Sequence, residues 1–320
     1  MLDFPTIDAA LASEPSEIRN VSTLVWNRLK DARRSRLHEP VFEAAWQNGR
    51  VFLEADDALR GRRPKIIEWK GPTRPVGYEA VPADLRVDHV YLISCKHRSR
   101  ILHNVAPGHL FDRLLVTRRG GSVPDWYLSV GGEAYQRLYE VVRAHVRIPA
   151  LPLNVRDLSR AHRRALIAAL PARVWPEPLV EEYRRFAHKV AEATAAIWNE
   201  NLDSSGAKEE QYWRLLRHSS APYFLLGVTS RGSLRFRIAA PWDWRQHFRF
   251  LNLSVAPDLA AGQPLVRWEA SVRRIADNAD VVVRGIVEIR WSHGKFRAPP
   301  EAKVQLETSL ADAPGYFGLS

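Results

Sequence analysis

The chain has 320 residues, enough for one large domain or two ordinary ones, each with its own core. Its formal net charge of +11 and sequence pI of about 10.0 favour a polyanionic partner, most simply nucleic acid. The single Cys95 excludes an internal disulfide and a cysteine-based zinc site and favours a reducing compartment, so we expect a cytoplasmic protein. The N-terminal segment carries several acidic residues and no long apolar run, so we expect neither a signal peptide nor a membrane partner.

The first half, residues 1–150, is predicted to be an α/β core with N-terminal helices. Helical spacing of apolar residues predicts a helix over 15–36, and Pro40 and Gly49 mark the ends of a second helix that carries Glu43. Two strands follow, over 50–55 and 65–69, joined as a hairpin by a basic turn. A strand over 87–96, a helix over 99–117 and a strand over 126–130 complete this half.

The second half, residues 151–320, is predicted to be a helical linker followed by an antiparallel β-rich recognition domain. A helix is expected over 132–146, just before the second half begins, and two more are expected in the linker, over 157–170 and 178–201. From residue 223 onward the pattern changes to strands separated by short turns, which indicates an antiparallel meander. The predicted strands cover 224–229, 234–239, 248–255, 265–275, 281–291 and 302–307.

The strand over 87–96 carries the most informative residues, because it is apolar on both faces and yet ends in a lysine. The chain has only eight lysines, so a lysine at this position needs an explanation. Strand alternation places Ser94 and Lys96 on one face, with Cys95 on the other as a small core residue. Adjacent strands lie ~4.8 Å apart, so Glu68 on a neighbouring strand can reach the same phosphate as Lys96.

The order helix, three strands, helix, strand, with Ser94-Cys95-Lys96 closing the third strand, resembles the core of the PD-(D/E)xK nuclease superfamily. The Ser-Cys-Lys triplet is similar to the variant of Mrr-like restriction nucleases, in which a polar residue replaces the acid. The resemblance implies an αβββαβ restriction-endonuclease-like core and an Mg²⁺- or Mn²⁺-dependent endonuclease of restriction or genome defence. Glu68, Lys96, Lys70 and Ser94 would then be catalytic, and Glu43 and Glu68 would bind the metal.

Other interpretations of the same residues stay open. Asp57, Glu68 and Lys70 match the written motif of the superfamily, although a loop rather than a helix follows Lys70. Glu68 and Lys70 also fit a solvated strand edge, and Lys96 fits the polar end of a core strand. The functional alternatives are a nucleic-acid-binding module on a degenerate nuclease core and a scaffold in a defence or repair assembly.

Basic residues close to the predicted site and among the C-terminal aromatic residues are candidates for phosphate contacts. The expected partner is DNA rather than RNA, and a homodimer is the arrangement that would cut both strands. The candidates are Arg62, Arg63, Arg98, Arg100, Arg245, Lys295 and Arg297.

Overall fold

The computed structural model describes residues 4–71, 83–98, 101–112, 125–230 and 232–319. Within these ranges no helix combines the length and apolar content needed to cross a bilayer. The helices are α1 (Ile7–Ser13), α2 (Thr23–Arg34), α3 (Glu39–Glu54), α4 (Pro107–Phe111), α5 (Trp126–Val146), α6 (Arg160–Ala169), α7 (Glu177–Asn201), α8 (Ser205–Leu215) and α9 (Pro241–His247).

The strands form two sheets, and the protein therefore has a mixed α/β fold, as the sequence predicts. They are β1 (Ile18–Arg19), β2 (Ile67–Trp69), β3 (Leu85–Val87), β4 (Tyr91–His97), β5 (Ile101–Val105), β6 (Tyr223–Thr229), β7 (Gly232–Ile238), β8 (Phe248–Pro257), β9 (Leu265–Arg274), β10 (Asp280–Arg290), β11 (Glu301–Leu306) and β12 (Tyr316–Gly318).

The first sheet is mixed and has the order β1-β2-β3-β4-β6-β7-β12. Strands β2, β3 and β4 form an antiparallel meander, and β4 then pairs in parallel with β6. Helix α3 covers one face, where Phe52 packs among Val87, Ile93, Phe224 and Leu226. Parallel pairing needs a crossover connection, and here the crossover contains β5 and the helices α4 to α8.

The second sheet is antiparallel and has the order β5-β11-β10-β9-β8. Its last four strands form the C-terminal meander that the sequence predicts. Helix α7 packs against α5 and against β8 and β9, and its fully buried Phe186 and Val190 belong to the same core as Val266 and Val283. The predicted strands over 224–229 and 234–239 exist as β6 and β7, but they join the first sheet instead.

Several predicted elements of the N-terminal half are wrong. Residues 50–54 are the last turns of α3, so the predicted hairpin with 65–69 does not form. Residues 126–130 begin α5, and residues 101–105 are a strand where a helix is predicted. The strand predicted over 87–96 is two strands, β3 and β4, separated by a turn at 88–90.

The predicted boundary near residue 150 does not separate the two sheets. Strands β6, β7 and β12 come from the second half of the chain and complete the sheet that β1 to β4 begin. Strand β5 comes from the first half and pairs with β11 at the edge of the second sheet. Each sheet therefore requires both halves of the chain, and we expect them to fold together.

Candidate active site at the end of the central strands

Asp84 lies at the start of β3, beside the end of β4. Its backbone N–H donates to the carbonyl of Ile93 at 2.7 Å, and its Oδ2 accepts from the backbone N–H of Cys95 at 2.6 Å. The residue is exposed to solvent. The carboxylate is therefore held one residue away from Lys96, on the neighbouring antiparallel strand.

Ser94 and Lys96 face the second sheet, as alternation requires. Leu92 packs against the large core, whereas Ile93 packs with α3, so the even-numbered side chains of β4 point away from α3. Ser94 is buried, and the Nζ of Lys96 donates to the carbonyl of Ile101 at 3.4 Å. Lys96 lines a space of about 570 Å³ between the sheets.

Gly227 and Asn48 hold the backbone beside Lys96 in place. Strand β6 runs parallel to β4 with Lys96 opposite Gly227, and a Cβ at position 227 would lie 2.1 Å from the carbonyl oxygen of Lys96. Asn48 of α3 is buried, and its Nδ2 donates to the Gly227 carbonyl at 2.9 Å. Its Oδ1 accepts from the Nε of Arg235 at 2.9 Å. One buried amide thus connects α3, β6 and β7 at the site.

Glu68 does not share a ligand site with Lys96, contrary to the expectation that their strands are neighbours. Strand β3 lies between β2 and β4, and Glu68 aligns with Arg86 and Leu92. Lys96 lies two strands away from Glu68 across the sheet and four residues further along, so their Cα atoms are roughly 16 Å apart. Arg86 forms two hydrogen bonds to Glu68, at 2.5 and 2.8 Å, and these bonds lower the pKa of Glu68 to about 2.

The other residues of the sequence-based site have separate partners. Glu43 is exposed on α3, where it accepts from Gln47 at 2.8 Å. Asp57 lies in the turn after α3 and pairs with Arg237 at 3.4 Å, so it does not face Glu68 across a hairpin. Lys70 comes closest, because its backbone N–H donates to the carbonyl of Asp84 at 2.9 Å.

The oxygen donors at this end of the sheet suit a hard cation that keeps much of its water. Asp84 supplies one exposed carboxylate, and the hydroxyl of Ser94 lies on the adjacent strand. Mg²⁺ is commonly held by only one or two carboxylates together with water and phosphate oxygens. Within the described part of the chain no group of three or more His, Cys, Asp or Glu side chains that could hold a metal ion is found.

Cys95 is not suited to nucleophilic catalysis. The residue as a whole is exposed to solvent. Two effects raise the pKa of its thiol to about 12: the larger is partial desolvation of the sulfur by the surrounding protein, and the smaller is the negative charge of the nearby Asp84. The thiolate is the reactive form of cysteine, and the neighbouring negative charge disfavours it. The sequence-based interpretation of Cys95 as a small core residue is wrong, because the residue is exposed.

Two of the predicted phosphate contacts are engaged in ion pairs away from the Asp84 end of β3. Arg62 pairs with Asp88 at 2.8 Å, and Arg63 pairs with Glu17. Both arginine side chains are about half exposed, whereas the Asp88 side chain is largely buried. Arg98 is exposed directly after β4, and Arg100 lies outside the described residues.

The C-terminal candidates have different environments. Arg245 pairs with Glu209 at 2.7 Å and lies 4.5 Å from the ring centroid of Trp213. Arg297 is exposed. Lys295 is buried, and its Nζ donates to the backbone carbonyls of Pro171 and Val174. Lys295 therefore has a structural environment rather than that of a surface phosphate contact.

Comparison with known proteins gives no relative from which a function can be carried over. No family model, curated protein or solved structure matches this chain. Function is therefore inferred from the site itself.

Sequence reasoning missed Asp84 because the pattern over 87–96 predicts a single strand. Asp88 and His89 both adopt positive φ, 49° and 60°, and reverse the chain between β3 and β4. Asp88 stabilises this turn region, since its Oδ1 accepts from the N–H groups of Lys65 and Ile66. Asp is tolerated in the left-handed conformation, so the Asp88-His89 pair was the available signal for a turn. A turn at this point brings Asp84 beside Ser94.

Proposed function

We propose that this protein is a metal-dependent nuclease that hydrolyses phosphodiester bonds in DNA, with Asp84 and Lys96 as the central pair of its site. The observation that carries the proposal is the hydrogen bond between the Asp84 carboxylate and the Cys95 N–H, which fixes an exposed acid beside a lysine. The acid directly precedes the second strand of an antiparallel meander, and the lysine lies on the third. This arrangement supports the resemblance to the PD-(D/E)xK core better than Glu68 does.

Each residue of the proposed site would have its own chemical role. Asp84 would hold Mg²⁺ or Mn²⁺, with Ser94 and water as neutral oxygen donors. A bound divalent ion would neutralise negative charge on the phosphate and lower the pKa of the attacking water. The ammonium group of Lys96 stabilises negative charge as it develops on the phosphate oxygens and orients the attacking water. The net charge of +11 favours association with a polyanion.

The order of helices and strands along the chain also supports the proposal. Helix α3 precedes β2, β3 and β4, and helix α8 precedes β6, which pairs in parallel with β4. This is the order helix, three strands, helix, strand, with a long insertion between β4 and α8. The sequence-based prediction places the last helix and strand of this order at 99–117 and 126–130, whereas 101–105 are β5 and 126–130 begin α5.

The experiment compares metal-dependent cleavage of supercoiled plasmid, single-stranded DNA and single-stranded RNA. We expect Asp84→Asn and Lys96→Met to lose roughly 100-fold or more of the rate, because each removes charge that acts on the scissile phosphate. Glu43→Gln is the matched control, since Glu43 is an exposed acid outside the site, and it should cut like the wild type. Loss of activity in Glu68→Gln with retention in Asp84→Asn would reverse our assignment.

The second candidate function is nucleic-acid binding without cleavage. It is favoured by one observation, that Ser94 stands on β4 where a second carboxylate would be expected, which leaves Asp84 as the acid beside Lys96. In that case the wild type binds DNA with an affinity that falls steeply with salt but cuts no substrate with Mg²⁺ or Mn²⁺. Such a result in a folded protein would end the hydrolase proposal.

A further inference from the structure

A pocket of about 640 Å³ lies where the end of β10, the start of α7 and the end of α6 meet. We call it the aromatic pocket and define it by Trp175, Tyr183, Trp291, Arg173, Arg290 and His293. It is separate from the Asp84–Lys96 site. Arg290 at this pocket and Ile286 beside the Lys96 space are four residues apart on β10, or roughly 13 Å along the strand.

The aromatic walls of this pocket are fixed by contacts with one another and with neighbouring side chains. Trp175 stacks on Tyr183 with a centroid distance of 4.6 Å and an interplanar angle of 26°. The Nζ of Lys295 lies 4.7 Å from the Trp175 ring centroid and donates to the carbonyl of Val174 at 3.0 Å. Trp291 packs on Phe296 at 5.0 Å. The rings are therefore in place before any ligand arrives.

The polar wall is also organised in advance. Glu288 lies behind the pocket lining, and its Oε1 accepts from the Nε2 of Gln263 at 3.1 Å. The same carboxylate lies 3.3 Å from the Nε of Arg290, so it orients the Arg290 guanidinium. Gly294 has a φ of +115° in the turn that carries His293, and a Cβ there would be 3.4 Å from Ile167. This turn sets His293 at the rim.

The charge of the lining selects an anion. Arg173 and Arg290 line the pocket together with Lys295, whose buried ammonium group already donates to two backbone carbonyls, and no carboxylate lines it among the described residues. Arg173 is exposed at the rim, where it can reach a ligand without losing a buried contact. Aromatic faces together with arginines are the combination that binds nucleotides, because bases stack and phosphates pair with guanidinium groups.

We infer that the aromatic pocket binds a nucleotide, with the base against the rings of Trp175 and Trp291 and the phosphate at Arg173 and Arg290. The nucleotide is either a free mononucleotide or an unpaired or extruded nucleotide of a nucleic-acid strand, since both present the same base and phosphate. This inference does not depend on hydrolysis at Asp84 and Lys96.

The test uses the full chain and the fluorescence of 2-aminopurine, which is quenched when the base stacks on an aromatic ring. One arm titrates 2-aminopurine deoxyribonucleoside monophosphate, and the other titrates a short single-stranded oligonucleotide with one 2-aminopurine. Both are run in EDTA, with wild type, Arg173→Gln, Arg290→Gln and the control Arg184→Gln. Arg184 is an exposed arginine of α7 that pairs with Glu181 outside the pocket.

We expect quenching in at least one arm and roughly tenfold weaker binding by Arg173→Gln and Arg290→Gln, because each loses a charged hydrogen bond to phosphate. Arg184→Gln should bind like the wild type. Quenching by the mononucleotide identifies a free nucleotide as a sufficient ligand, and quenching by the oligonucleotide alone identifies a strand. The inference is overturned if neither ligand is quenched, if Arg184→Gln weakens binding equally, or if inorganic phosphate competes as well as the nucleotide.

The Lys96→Met protein separates this inference from the proposed hydrolysis. It should bind the 2-aminopurine mononucleotide as tightly as the wild type, because Lys96 lies outside the aromatic pocket. Loss of cleavage without loss of quenching supports both assignments. Quenching by a wild-type protein that cuts nothing keeps the pocket and removes the hydrolase.

Discussion

Gly227 and Lys96 lie in direct backbone contact, with space for a hydrogen but not for a carbon between them. A Cβ at position 227 would be 2.1 Å from the carbonyl oxygen of Lys96 and 3.0 Å from its Cβ. Strand β4 can therefore approach β6 only where residue 227 is glycine. This contact sets the position of the lysine that we place in the site.

The substitution Gly227→Ala is expected to destabilise the protein by about 3 kcal/mol, the upper part of the usual range for overpacking. The backbone of β4 or β6 must move, since the clash involves main-chain atoms. Urea unfolding measures the change. The control is Gly206→Ala in α8, where a Cβ meets nothing within 4 Å and should change stability by less than about 1 kcal/mol. Equal stability of the two variants would contradict the close approach of β4 to β6.

Replacement of Asn48 by leucine should cost about 2–3 kcal/mol, because it leaves the Gly227 carbonyl and the Arg235 Nε without their buried partner. The measurement is again the free energy of unfolding in urea. Gln47→Leu on the exposed side of the same helix is the control, and it should change stability by about 0.5 kcal/mol or less. A cost at Asn48 as small as that at Gln47 would show that the amide does not connect α3 to β6.

The ion pair between Glu68 and Arg86 should make stability depend on pH in the acid range. Hydrogen bonds from Arg86 lower the pKa of Glu68 from 4.5 to about 2. A lowered carboxyl pKa contributes stability that is complete above pH 4.5 and is lost as the pH falls toward 2. We expect Glu68→Gln to have a shallower decline than the wild type over this interval, measured by urea unfolding at several pH values. Parallel curves would contradict the pairing.

His218 should produce a second loss of stability at higher pH. Burial lowers its pKa from 6.5 to about 4, although hydrogen bonds to the Ala239 and Pro314 carbonyls act in the opposite direction. Since the unfolded chain binds the proton more readily, stability is constant above pH 6.5 and falls as the pH decreases toward 4. The slope in this window should disappear in His218→Gln. Titration of His218 by NMR near its ordinary pKa would contradict the prediction.

The sequence by itself determined the elements whose residues repeat with one clear period. The helix predicted over 178–201 is α7, and the strands predicted over 248–255, 265–275, 281–291 and 302–307 are β8 to β11. These segments are long, and a repeat of two or 3.6 residues reports local backbone geometry directly. The mixed α/β class follows from the same local signals.

The tertiary structure alone decided which strands are neighbours and which residues form the site. Pairing of β4 with β6 joins residues more than a hundred positions apart, and no local period encodes that partner. The turn at Asp88 and His89 moved Asp84 beside Lys96, while β3 separated Glu68 from it. Strand order depends on burial of both sheet faces by distant segments, so the lysine was visible in the sequence but its acid was not.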